Sequence, residues 1–329
     1  ASKKTGSIKH MVFFIPLLNG KWGSAFSLLP FSTTQYEVSG SSEVTDATPT
    51  ESTDNTFIGS GGLSQFAWSN GFRIFNSTNI GFNLMYVFGA IDKQNQSSLA
   101  SDPSSIGYYT QLSSNETYKS FLFSIALAHK MKINETHEMN FGITYQHSGQ
   151  LNGLKDVFLS RYIESSLVQV GSPIPISNEE NTTFDLPKKL SFGLSYGLVE
   201  KYRIGLDINL ANWTSNGTNN TLIQNTQEFI IGGEMTPDRR NITNYLKRVT
   251  YRFGFNYGKL PYLVQNNSIT EFGINFGASF PVAGLSTLDV AIKLGERGTI
   301  ENGLVNESFM QMVLGLTINE KWFIKRKYN

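Results

Sequence analysis

From Ile269 to Ser279 the chain alternates, one parity largely apolar and the other largely polar or glycine. Phe272, Ile274, Phe276, Ala278 and Phe280 take one parity; Glu271, Gly273, Asn275, Gly277 and Ser279 take the other. Side chains of an extended strand point to opposite faces with period two, so this segment predicts a β-strand with one apolar and one wet face. The pattern recurs along the chain, and each copy exceeds the ~5–6 residues of an ordinary soluble strand. A tilted strand of ~9–11 residues crosses a bilayer, and strands do so only as closed barrels, which leave no backbone donor unpaired in hydrocarbon. The expected fold is an all-β, transmembrane, antiparallel up-and-down barrel, with residues 1–329 forming one domain.

Composition agrees. Only 16% of the residues are charged, against ~25% in soluble domains, as expected where much of the surface avoids water. Mean hydropathy is −0.20, which excludes a bundle of apolar helices but not a barrel, whose strands are polar at every second residue. A net charge of +1 points to no nucleic-acid partner. The absence of cysteine removes disulfides, thiolate metal sites and cysteine nucleophiles together. Sequons at Asn76, Asn115, Asn134 and Asn212 are what chance makes in a chain rich in Asn, Ser and Thr. Residues Ala1 to His10 lack the basic and apolar regions of a signal peptide, so the expectation is a mature or truncated form.

Alternating runs fall at 8–16, 22–38, 57–75, 79–91, 117–132, 137–149, 187–197, 201–213, 224–236, 246–259, 268–281, 286–296 and 307–319, which predicts about thirteen strands. Short connections hold Leu18-Asn19-Gly20, Asn76-Ser77-Thr78, Asn134-Glu135-Thr136, Val199-Glu200-Lys201 and Ala283-Gly284-Leu285; long polar ones fall near 39–56, 92–116 and 150–186. Short turns on one side and long loops on the other fit the periplasmic and outer faces of a bacterial outer-membrane barrel. Such barrels have an even strand number, so a fourteenth strand is expected upstream of Ala1. The segment 150–186 is expected to be a surface loop, its Pro173-Ile174-Pro175 limiting ladder pairing.

Parity assigns faces. Ile80, Phe82, Leu84, Tyr86 and Phe88 face lipid, as do Phe141, Ile143 and Tyr145, Tyr251, Phe253, Phe255 and Tyr257, and Leu288, Val290, Ile292 and Leu294. The candidate lumen-lining charges are Arg73, Arg203, Asp207, Arg252, Glu271, Asp289 and Lys293; Gln146, Asn209, Glu228, Glu234, Asn256 and Asn275 share their parity. Arg252, Glu271, Asp289 and Lys293 lie on neighbouring strands, where mutual neutralisation is the first role to expect. Trp22, Trp213, Trp322 and Phe323 sit near strand ends, where interfacial aromatic belts belong.

Catalytic signals are weak. Gly193-Leu194-Ser195-Tyr196-Gly197 matches G-x-S-x-G, but a nucleophile elbow needs a strand-to-helix turn and this pattern lies within a strand. The histidines, His10, His129, His137 and His147, have no metal-site spacing. Gly59-Ser60-Gly61-Gly62 lacks the lysine and helix of a phosphate loop and reads as a strand kink or bulge. No enzymatic activity, cofactor or metal is expected.

The segments at 59–74, 185–198, 244–262, 269–282 and 294–309, with the ending at 319–329, resemble the FadL-type long-chain fatty-acid transport barrels, particularly their Bacteroidetes members. The resemblance implies a barrel of about fourteen strands in the Gram-negative outer membrane, with diffusive uptake of hydrophobic molecules such as long-chain fatty acids. It also implies an amino-terminal hatch, and no segment of this sequence matches one. The expected partners are outer-membrane lipid and hydrophobic small molecules. The alternative is a non-enzymatic structural subunit of a multiprotein complex, in contact with other outer-membrane proteins.

Overall fold

The structure, a computed structural model, describes residues 10–18, 20–44, 51–99, 107–213, 223–282, 286–300 and 304–318. These residues form one antiparallel sheet of sixteen strands. The strands are β1 (Met11–Leu18), β2 (Trp22–Thr33), β3 (Tyr36–Val44), β4 (Glu51–Phe75), β5 (Thr78–Leu99), β6 (Tyr108–Lys132), β7 (His137–Gln146) and β8 (Gly149–Ile163). They continue with β9 (Gln169–Leu186), β10 (Lys188–Leu198), β11 (Tyr202–Asn212), β12 (Thr226–Met235), β13 (Thr250–Val264), β14 (Asn267–Pro281), β15 (Thr287–Gly298) and β16 (Asn306–Thr317).

Three of the sixteen are continuations. The main path runs β1-β2-β4-β5-β6-β7-β10-β11-β12-β13-β14-β15-β16, and β3, β8 and β9 lie off it. β3 takes over the edge of β4 where β2 stops, from Gly59 upward. β6 pairs with β7 below Ser124 and with β8 above Lys119, so β7 and β8 act as one long ascending strand. β9 and β10 are likewise one descending strand interrupted at Pro187. The path thus holds thirteen spans, matching the thirteen alternating runs. Among the described residues no pairing joins β1 to β16.

The sheet nevertheless curls on itself. Lys189 on β10 places its Nζ 6.0 Å from the ring centroid of Phe31 on β2, although four strands separate β2 from β10 along the sheet. The concave side holds a packed apolar cluster of Leu63, Ala67, Met85, Val87, Tyr118, Leu122, Leu151 and Leu186. The convex side keeps the lipid-facing parity. Phe121, Phe123, Ile125, Phe141, Ile231, Phe253 and Phe276 remain exposed there, as a surface solvated by hydrocarbon requires.

Two features depart from the sequence reading. The segment 150–186 is a β8–β9 hairpin rather than a loop, and the upper halves of β4, β5 and β6 continue pairing through the segments expected to be loops. Above the membrane both faces of a strand meet water, so the period-two apolar signal fades while the backbone ladder persists. Pro173 and Pro175 are accommodated where the β8–β9 register shifts, on a strand whose other edge is unpaired among the described residues.

The strand kink is where the glycine run placed it. Gly61 and Gly62 have φ of 93° and 151°, and Gly89, opposite Leu63, has φ of 149°. A Cβ on Gly62 would strike the carbonyl oxygen of Ser32, and one on Gly89 would strike that of Gly62. Only glycine holds this backbone without strain.

Candidate functional site: the interior and the projecting sheet

Cross-strand register places all seven candidate charges on the concave side. Near the short-turn end three of them, Arg203, Arg252 and Asp289, join a belt of alternating sign. Lys130 (β6) pairs with Glu138 (β7); Arg203 (β11) reaches Glu138 at 3.2 Å and Glu234 (β12) at 3.7 Å. Arg252 (β13) reaches Glu234 at 3.3 Å and Asp289 (β15) at 4.0 Å. Ser279 (β14) bridges Arg252 and Asp289, and Thr317 (β16) donates to Asp289 at 3.1 Å. Gly197 on β10 leaves room for Arg203 to reach over to Glu138, because any Cβ there would meet the Arg203 backbone at 2.8 Å. Three cations and three anions alternate, so each charge of the belt has an opposite neighbour.

A second cluster stands higher. Glu271 (β14) accepts from Lys293 at 2.8 Å and from Arg297 at 2.6 Å, and both cations lie 5.4 Å from the ring centroid of Phe309 on β16. Sequence parity identified Glu271 and Lys293 but not Arg297. Asp207 stands apart, opposite Gly193, with no ion pair among the described residues. Arg73 lies at the short-turn end beside a cavity of about 440 Å³ that Phe14, Lys21, Trp22 and Asn79 also line. A cavity of about 430 Å³ near the other end is lined by Lys189, Asn209, Trp213, Glu228, Asn256 and Glu271.

Trp213 corrects an expectation. It shares the concave parity of β11, lines that cavity, and meets Phe184 edge-on at 6.2 Å instead of anchoring at the lipid interface. Trp22 is where a belt residue belongs, stacked on Phe72 at 5.6 Å with its indole N–H donating to Asn70. Trp322, Phe323 and the 283–285 turn lie outside the described residues. Ser195 sits mid-strand and accepts a hydrogen bond from Asn140 at 3.2 Å. His129 meets Thr78 at 2.9 Å on the convex side.

Between the two ends the apolar cluster fills the concave side. Val87 is 0% exposed, and Ala67, Leu122 and Leu151 are each 2% exposed. Above it Tyr118 donates to Glu116, and Lys93 binds the same carboxylate at 3.1 Å. This half of the barrel is packed as a core.

The least expected surface is the projecting sheet, β3-β4-β5-β6-β8-β9. At ~3.3 Å per residue, the 25 residues of β4 extend about 80 Å, of which a membrane uses about ten residues. One row across this sheet reads Val38, Phe57, Asn95, Leu112, Leu159, Ile174. The adjacent row, on the opposite face, reads Ser39, Thr56, Gln96, Gln111, Ser160. The sheet thus carries one mostly apolar row, and that row's outer members are uncovered: Val38 is 58%, Phe57 44% and Ile174 59% exposed. The sequence runs had not revealed this row, because its residues are neighbours across strands and not along them.

The BamG family model matches residues 1–329. The chain belongs to the BamG family. Membership rests on the whole length, and its name differs from the FadL-type family that the sequence segments resemble. No curated protein matches the chain by sequence. Among solved structures, the P. putida toluene transporter TodX aligns with TM-score 0.55 and 14% identity over 93% of this chain and 81% of its own. A TodX variant described as a monoaromatic hydrocarbon channel gives 0.56 and 14%, over the same shares of each chain. The CymD monoaromatic hydrocarbon channel gives 0.51 and 13%, covering 93% and 84%. The fold of this BamG-family chain is that of the TodX and CymD structures.

Proposed function

We propose that this chain is a non-catalytic structural subunit of a multiprotein assembly in the Gram-negative outer membrane. Its short-turn end faces the periplasm and its projecting sheet faces outward. The observation that carries this reading is the uncovered apolar row of the projecting sheet. An apolar row held in water gains stability when it is covered, at about 25 cal/mol per Å². The packed interior agrees, since it turns that half of the barrel into support for the sheet above it. Substituting Val38, Phe57 and Ile174 by Ser tests the reading. The folded barrel should persist while proteins that co-purify from native outer membranes are lost. Unchanged co-purification would refute it.

A second reading, passive transport of hydrophobic compounds such as long-chain fatty acids, is favoured by a different observation. The packed cluster of Leu63, Met85, Val87 and Leu122 makes the concave side apolar, on the fold of proteins described as a toluene transporter and a monoaromatic hydrocarbon channel. Each CH₂ moved from such a surface into water costs ~0.8 kcal/mol, so a carrier must offer apolar contacts in exchange. Uptake of toluene or oleate into vesicles, lost on Met85→Lys in a folded barrel, would favour transport over the structural role.

A further inference from the structure

The short-turn connection between β12 and β13 is unlike its neighbours. It runs for fourteen residues from Thr236 to Val249 and is ordered by its own polar groups. The Asp238 amide donates to the Lys247 carbonyl at 2.8 Å, and its carboxylate accepts from the Arg240 amide and the Asn241 side chain at 3.1 and 3.0 Å. Asn241 accepts from the Asn244 amide at 2.7 Å, and Asn244 in turn accepts from the Leu246 amide at 3.0 Å, capping the 3-10 turn Tyr245–Arg248.

This turn lies on the lipid side of the rim. Tyr251 has the lipid-facing parity of Phe253, and its phenol donates to the Leu246 carbonyl at 3.1 Å. The Tyr245 hydroxyl donates to the Pro281 carbonyl at 2.8 Å, tying the turn beneath β14. Ile242 is 96% and Leu246 60% exposed, at the margin of the apolar belt.

Arg239, Arg240, Lys247 and Arg248 add four positive charges against the single negative charge of Asp238. Arg240 has one long pairing, 3.8 Å to Glu200. Arg239, Lys247 and Arg248 have no ion pair among the described residues, and the Arg248 guanidinium lies 4.9 Å over the Tyr245 ring with its Nε buried and unbonded. Basic groups flanking exposed aliphatic side chains, continuous with a lipid-facing wall, match the chemistry of a leaflet boundary, with phosphates outermost and acyl chains toward the apolar belt.

We infer that residues 239–248 form a binding strap for anionic phospholipid in the leaflet at the short-turn end. Leu246 and Ile242 enter the acyl boundary, and Arg239, Lys247 and Arg248 hold phosphates. The inference rests on the membrane-spanning fold and stands whichever function is correct.

The cysteine-free sequence permits a clean test. A nitroxide on Ile242→Cys in the full-length barrel is read for accessibility to oxygen and to a water-soluble nickel chelate. In vesicles of phosphatidylcholine with phosphatidylglycerol, oxygen access should exceed nickel access, and the preference should weaken in phosphatidylcholine alone. Native mass spectrometry should find phosphatidylglycerol retained over phosphatidylcholine. The combined variant Arg239→Gln, Lys247→Gln, Arg248→Gln should lower that retention at least about tenfold, each basic group being worth up to about fivefold near an anionic leaflet. Heat-modifiable gel mobility verifies that the variant is folded. Equal nickel access in both vesicles, or retention unchanged in the folded triple variant, would overturn the inference. So would a label that is shielded only in native outer membranes, which would make the strap a protein-docking surface.

Discussion

Phe253 and Arg252 are adjacent on β13, and exchanging their characters should have unequal consequences. Register lines up five lipid-facing rows across β14, at Phe280, Ala278, Phe276, Ile274 and Phe272, and Phe253 pairs with Phe276 in the middle one. Successive rows are two residues apart, so the band spans about 26 Å along the strand, or about 20 Å along the membrane normal at a tilt near 40°. Phe253 therefore sits at mid-depth, 56% exposed to hydrocarbon, with its ring 5.6 Å from that of Phe276. Phe253→Arg puts a guanidinium at the midplane, where the cost is ~2–4 kcal/mol, and removes an aromatic pair worth a further ~0.5–1.5 kcal/mol. Arg252→Phe acts on the other side of the sheet. It breaks the 3.3 Å pairing with Glu234, but Glu234 keeps Arg203 and Asp289 keeps Ser279 and Thr317. With the Arg252 side chain 47% exposed, that loss belongs with solvated ion pairs at ~0–1 kcal/mol. Urea unfolding of both variants in phosphatidylcholine vesicles, followed by heat-modifiable gel mobility, should show Phe253→Arg the less stable by about 2 kcal/mol or more. Equal stability, or a reversed order, would refute the assignment of faces.

Further outcomes follow from named contacts. Gly89→Ala should destabilise the barrel by ~1–3 kcal/mol in the same urea assay, because φ at 89 is 149° and the added methyl would meet the Leu63 backbone at 3.0 Å. Leu122→Ala, at a position 2% exposed in the packed interior, should cost ~2–5 kcal/mol, whereas Leu154→Ala, 41% exposed on the projecting hairpin, should cost far less. Asp238 carries a pH dependence: hydrogen bonds from the Asn241 side chain and the Arg240 amide hold its carboxyl below the usual carboxylate range. A depressed carboxyl contributes order that is present above its unfolded value and lost as pH falls through the folded one. A spin label at residue 242 should therefore become mobile only below about pH 4, and Asp238→Ala should make it mobile at neutral pH; a label indifferent to both changes would show that Asp238 does not order the strap.

Legibility followed solvent. Wherever one face of a strand meets hydrocarbon and the other water, alternation is enforced, and the thirteen spans, their faces and the kink at Gly61-Gly62 could be read directly from the sequence. Above the membrane that contrast vanishes. The segments 92–116 and 150–186 read as loops because Gln94, Gln96, Ser113 and Asn115 carry no period, yet backbone pairing continues through them. Charges partner in a way that parity half reveals. Arg252 and Asp289 could be placed on one side, but the link through Ser279 needs the register of three strands at once. The apolar row Val38, Phe57, Leu112, Leu159, Ile174 is the extreme case, since its members come from five segments spread over more than a hundred residues. A row assembled this way, on a sheet held clear of the membrane, has no role in crossing hydrocarbon. It is satisfied only by what covers it, and for that reason it bears on function more directly than any charge in the interior.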